Sequence, residues 1–148
     1  MVSLDRLLNI GLMGIIFIGS VFWSWTFFSP MYLPPVKYNS LTILNSPISD
    51  EDDGIIGQVV FDRRRNCSGE VRRAIVRLVG SNGNEEIVYR DIVPTAPTKI
   101  GEGVVVSFKM MLPRPRQAGS YIYRGIVRFD CDGKVFTLET PAAPFQVR

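Results

Sequence analysis

The chain has 148 residues, 17 of them basic and 14 acidic, for a net charge of +3, and it contains no histidine. A charge bias this small gives no argument for nucleic-acid binding, and the absence of histidine removes Ser-His-Asp and Cys-His nucleophiles, His-ligated zinc and His-held haem. The two cysteines, Cys67 and Cys131, make a poor metal site without histidine, whereas two cysteines outside the cytoplasm usually pair, so a disulfide is expected.

Residues 7–28 read LLNIGLMGIIFIGSVFWSWTFF, 22 residues without a charge. At 1.5 Å per residue a helix of that length covers ~33 Å, enough to cross a hydrocarbon core of about 30 Å. A single-pass transmembrane helix is therefore expected. The tail of residues 1–6 carries Arg6, and beyond the span the first charge is Lys37, followed by the acidic run Asp50-Glu51-Asp52-Asp53. Positive charge beside the membrane favours the cytoplasmic side, which puts the tail inside and the rest in the periplasm or outside the cell. A cleaved secretory signal would end at a small-x-small site. Here the far end is crowded with Trp23, Trp25, Phe27 and Phe28. Such rings belong at the membrane–water interface, so the segment reads as an uncleaved signal-anchor. Pro30, Pro34 and Pro35 then mark residues 29–38 as a stiff, extended linker.

From residue 39 to 148 no helical period is sustained, and apolar residues recur with period two between Gly, Asn, Asp and Pro. Val104, Val106, Phe108, Met110 and Leu112 share one face. Tyr121, Tyr123, Val127, Phe129 and Cys131 share another, opposite Ile122, Arg124, Ile126, Arg128 and Asp130. Strands are expected near 39–45, 55–63, 71–80, 85–93, 104–112, 120–131, 134–140 and 144–148. Asn82-Gly83 and Asp132-Gly133 are the residues that a tight hairpin needs. This pattern defines a mainly β extracytoplasmic domain, an antiparallel immunoglobulin-like sandwich of two sheets and 7–8 strands, with a small barrel as the alternative. The core tryptophan of immunoglobulin domains is missing, because both tryptophans lie in the anchor. In that topology Cys67 and Cys131 fall at one pole, on opposite sheets.

No glycine loop for phosphate and no metal-ligand spacing occurs, and the carboxylates after the acidic run are scattered. No catalysis, cofactor, metal or small-molecule substrate is expected. Arginine is less evenly spread. An outward face is expected from Val71, Arg73, Ile75, Arg77 and Val79 on the third strand with Ile122, Arg124, Ile126 and Arg128 on the sixth. It interleaves arginine with branched aliphatics, which suits a protein interface. The expected role is docking onto other membrane or envelope proteins, with the bilayer contacted through residues 7–28. The alternative is an anionic ligand (lipid headgroup, wall polymer or nucleic acid) held by the arginines.

Overall fold

The computed structural model describes residues 13–26, 33–80 and 83–148. The chain divides into two compact units, Met1–Leu33 and Pro34–Arg148.

In the first unit residues 13–26 form a helix whose side chains are all exposed, among them Phe22, Trp23 and Trp25. Two of its hydroxyls are bonded to its own carbonyls. Ser20 Oγ donates to Phe17 at 2.8 Å, and Thr26 Oγ1 donates to Phe22 at 3.1 Å and Trp23 at 3.0 Å. Among the described residues no helix is long and apolar enough to cross a membrane. The other parts of the expected span, residues 7–12 with Phe27 and Phe28, lie outside the described residues.

The second unit contains eight strands: β1 (Val36–Ile43), β2 (Gly54–Arg63), β3 (Ser68–Val79), β4 (Asn84–Pro94), β5 (Gly101–Met111), β6 (Gly119–Cys131), β7 (Lys134–Glu139) and β8 (Ala143–Val147). They form two antiparallel sheets, one ordered β1-β2-β5 and the other β4-β3-β6-β7 with β8 also on β6. β1 starts at Val36, so residues 36–38 belong to the domain and not to the linker.

β6 shows why the sheets stack. From Tyr121 to Cys131 every odd position is buried, and from Arg124 to Asp130 every even one is exposed. Strand alternation thus puts Tyr121, Tyr123, Val127 and Phe129 on the inside against Ile55, Phe61 and Met110 of the facing sheet. Each fully buried apolar side chain contributes about 1.5–3 kcal/mol. The Phe108 ring lies over Gly57, where a Cβ would come within 2.3 Å of it, and 4.9 Å from the Tyr123 ring.

Cys67 and Cys131 are bonded, with their Cα atoms 4.8 Å apart. The bridge does not join the sheets as expected. Ser68 pairs with Asp130, so Cys67 stands opposite Cys131 on the neighbouring strand of the same sheet. Cys67 lies in the connection between β2 and β3, directly before Ser68 where β3 begins and four residues beyond the end of β2 at Arg63. At the same pole Arg63 is buried (7 % exposed) and donates to Thr98 Oγ1 at 2.6 Å and to the Cys67 carbonyl at 3.3 Å. Asp132-Gly133 makes the expected two-residue turn, with φ of 52° and 81° between paired Cys131 and Lys134. In the other expected turn Gly83 has φ 69°, while Asn82 lies outside the described residues.

Candidate interaction face

The register of β3 on β6 decides which arginines meet solvent. Arg73 pairs with Gly125, Ile75 with Tyr123 and Arg77 with Tyr121. Directly opposed residues of an antiparallel pair point to the same side. Tyr121 and Tyr123 are each 2 % exposed and Ile75 is fully buried. Arg73, Ile75 and Arg77 therefore point into the sandwich, with Val71 alongside them, which corrects the third-strand half of the expected face. On the sixth strand Arg124, Ile126 and Arg128 are exposed and Ile122 shares their side.

The inward arginines are tolerated because β4 brings carboxylates to them. Arg73 Nε donates to Asp91 Oδ1 at 2.8 Å, Nη2 donates to Asp91 Oδ2, and Nη1 reaches the Lys109 carbonyl of the other sheet at 3.4 Å. Burial of Arg73 works against its charge, but the hydrogen bonds and charge of Asp91 outweigh it and hold the guanidinium pKa above its ordinary value. Arg77 Nη2 donates to Glu86 Oε2 at 2.7 Å.

The true outer face is built in cross-strand rows. Ile92, Arg72 and Ile126 make one row; Arg90, Ala74 and Arg124 the next; Ile87, Val76 and Ile122 the third. The face interleaves arginine and aliphatic side chains, with a different β3 set from the one expected. Ile87 is 62 % exposed, Ile92 61 % and Ile126 45 %. They border an open depression of ≈ 990 Å³ edged by Arg72, Arg90 and Arg124. Arg124 forks onto Glu85 at 2.9 and 2.6 Å, and Arg72 meets Glu70 at 3.1 Å. Arg90 and Arg128 are exposed and have no ion-pair partner among the described residues. Sequence reasoning missed Arg72, Arg90, Ile87 and Ile92. Asp91, an acid within an otherwise strand-like run, was the signal that a neighbouring arginine turns inward.

A second feature is a cavity of ≈ 180 Å³ between the sheets. Its walls include Val59, Val106, Phe108 and Val127, with Tyr38, Tyr123 and Thr140 also on the lining. Thr140 Oγ1 is buried without a hydrogen bond. The lining includes exposed Pro94, Ala96 and Ser107, so the cavity opens on the flank between the end of β4 and the middle of β5. In the acidic run, Asp52 accepts bonds from Ser49 N at 2.8 Å and Ser49 Oγ at 2.9 Å, and those bonds hold its carboxyl below the ordinary value. Among the described residues no cluster of three or more His, Cys, Asp or Glu has metal-binding geometry.

No family model and no curated protein matches this chain. Among solved structures it is similar to an alkylpurine DNA glycosylase of Pseudomonas fluorescens bound to DNA containing an abasic-site analogue. That match has 15 % identity and a TM-score of 0.45, over 84 % of this chain and 33 % of the glycosylase. It is similar to the structural-genomics target SoR45 at 9 % identity and a TM-score of 0.41, over 76 % of this chain and 87 % of that one. It is also similar to a β-glucosidase of Listeria innocua in complex with isofagomine at 14 % identity and a TM-score of 0.34, over 76 % of this chain and 16 % of the enzyme. The chain thus spans about a third of the glycosylase's length. At these scores no activity is taken from the three.

Proposed function

We propose that this chain is a non-catalytic, single-pass membrane protein whose periplasmic or extracellular domain docks onto other proteins of a membrane-associated assembly. The sheet order β1-β2-β5 over β4-β3-β6-β7 supports an immunoglobulin-like sandwich in which the fourth strand sits beside the third instead of the fifth. Such sandwiches host many functions, so the role rests on the surface and not on the fold. The anchor is supported by the uncharged stretch of residues 7–28, and the back-bonded hydroxyls of Ser20 and Thr26 are compatible with a hydrocarbon surrounding. Trp23 and Trp25 suit the outer interface, and the Cys67–Cys131 bond suits an oxidising compartment.

The observation that carries the docking role is the outer face of the five-stranded sheet. Three largely exposed isoleucines beside arginines gain nothing in water, and a partner offering aliphatic surface and carboxylates would bury the first and pair the second. Cross-linking in native membranes followed by mass spectrometry tests it. The expected result is a link from this face to a second protein, and links confined to the chain itself would count against the role.

A second reading takes its support from exposed Arg90 and Arg128, which have no ion-pair partner among the described residues. They suit a polyanion or lipid headgroup, whose signature is binding that falls steeply with salt. If the chain in neutral-lipid nanodiscs ignores anionic liposomes and polyanions at low salt, this reading is dropped.

A further inference from the structure

The free strand edges of the sandwich are not equally protected. An exposed edge invites another strand, and proteins blunt it with bulges, charges or proline. β4 has a register shift opposite Ile75 and Val76, carries Glu85, Glu86, Arg90 and Asp91, and ends at Pro94. β1 has a register shift around Asn39. β5 is different. Its own register shift, Glu102 and Gly103 (φ 61°) lie at its start; from Val104 to Met111 it reads VVVSFKMM, pairs with β2 without a break, and carries Lys109 as its one charge, with no proline. The Lys109 carbonyl accepts from Arg73 of the facing sheet, so the main-chain groups of Lys109, and by alternation those of Ser107 and Val105, point away from β2. β5 pairs with no strand on that side. The cavity of ≈ 180 Å³ opens beside the same edge, next to Ser107. A hydrocarbon-lined space of about 150 Å³ accommodates a benzene ring, so this one has room for a single aliphatic or aromatic side chain.

We infer that β5 is the acceptor for an extended segment of a partner protein, which adds as a fourth strand to the three-stranded sheet and seats one apolar side chain in the cavity. The inference rests on the docking reading but uses a different surface from the arginine–isoleucine face. Arg73 holds the Lys109 carbonyl, and the outward groups of Val105 and Ser107 pair with no strand; such an edge is complementary to another extended backbone, and adjacent pockets then select side chains at alternate positions. A second copy of this chain is a poor occupant. The inward side chains of its own β5 are engaged in its own core, with Met110 1 % exposed and the Phe108 ring 4.9 Å from Tyr123. The segment is therefore one that is not already part of a sandwich, with apolar residues at alternate positions. Lys109 Nζ is already paired with Asp53 at 3.2 Å, so the segment is selected by its apolar side chains and not by charge.

The test uses the full chain in its native membranes with a photo-cross-linking residue at Val105 or, separately, at Ile126. A product from Val105 to an extended segment of another protein is expected. Ser107→Pro removes an outward N–H without touching the ladder to β2, so it should lower that product at least tenfold and leave the Ile126 product unchanged. Val93→Phe, which fills the cavity from the β4 side, should have the same effect and serves if the proline variant does not fold. Cross-links from Ile126 with none from Val105 would overturn strand addition and leave docking standing. Val105 products joining two copies of this chain would also overturn it. No product from either position would overturn the docking reading itself.

Discussion

Arg73 and Asp91 face each other on the inner side of the five-stranded sheet, and Arg73 also reaches the Lys109 carbonyl of the facing sheet. The two side chains are only 11 % and 23 % exposed. The pair therefore ties the two sheets together at one point of the flank between β4 and β5, beside the opening of the cavity that Arg73 helps to line. Arginine suits the position because its fork satisfies one carboxylate and one carbonyl at once.

Replacing Arg73 alone leaves a carboxylate largely out of water without its partner. Arg73→Met should cost about 2–3 kcal/mol, below the usual range for fully buried pairs because some exposure remains. Adding Asp91→Leu should recover much of that loss. A double-mutant cycle in urea checks the coupling, and simple additivity would show that the pair contributes nothing specific.

The disulfide lies within one sheet, and its effect should follow from that. It extends the ladder from Ser68–Asp130 by one step, so the strands remain paired without it. Joining residues 64 apart in sequence restricts the unfolded chain. The entropy so removed is worth at most about 4 kcal/mol. Cys67→Ala with Cys131→Ala should lower the thermal midpoint and leave the far-ultraviolet circular dichroism unchanged. Loss of the β signal at low temperature would mean that the bridge is needed for the ladder to form.

β6 was legible in the sequence because all its charges, Arg124, Arg128 and Asp130, fall on one alternating set and both its tyrosines and Phe129 on the other. The Asp132-Gly133 turn was legible because few residue pairs accept two positive φ values. β3 was not. Both of its alternating sets mix aliphatics with arginine, Val71-Arg73-Ile75-Arg77 on one side and Arg72-Ala74-Val76-Leu78 on the other. The ordinary preference for exposed charge chose the wrong set. What reverses it is the pairing with β4, which brings Asp91 to Arg73 and Glu86 to Arg77, and no local pattern in β3 contains that. A one-residue change of register turns a strand over, so the error moved Val71, Arg73, Ile75 and Arg77 together, while Val79 at the strand's end is exposed. Cys67 failed for a related reason, since one residue separates the end of a crossing loop from the start of a strand.

Tyr38 and Tyr123 make stability sensitive to alkali. Burial raises both hydroxyl pKa values. Tyr123 is brought to about 12, with the Arg73 cation pulling partly the other way and Asp91 pushing up. Tyr38 is raised by burial first and then by the neighbouring Tyr123. Below pH about 10 both states hold the protons and stability is complete. Above it the unfolded chain ionises and the folded one does not, so stability is lost as pH rises towards about 12. For Tyr123 the loss is at most roughly 3 kcal/mol. Urea midpoints should be level from pH about 7 to 9.5 and then fall, and less steeply for Tyr123→Phe. An unchanged slope in that variant would place the alkaline transition elsewhere.

The last prediction concerns the arginine–isoleucine face. Arg90 and Arg128 are the useful positions, because neither is engaged in an ion pair among the described residues, whereas Arg124 is held by Glu85. Reversing their charge breaks no ion pair among the described residues, so the fold should change by no more than about 1 kcal/mol, chiefly because Arg128→Glu stands opposite Glu70. A partner that places carboxylates against this face would meet two new negative charges instead of two cations, and like charges across an interface cost several kcal/mol. Arg90→Glu with Arg128→Glu should therefore reduce capture of the partner from detergent-solubilised membranes more than tenfold. Ile92→Ser should weaken it independently of salt by removing apolar area, while the charge reversals should act most strongly at low ionic strength. Arg77→Glu serves as the contrast, since Arg77 is only 19 % exposed and bound to Glu86. It should lower stability through repulsion with that neighbour and leave capture by the folded fraction unchanged. Capture that survives the Arg90 and Arg128 reversals but is lost on Ser107→Pro would move the interface from the sheet's face to the edge of β5.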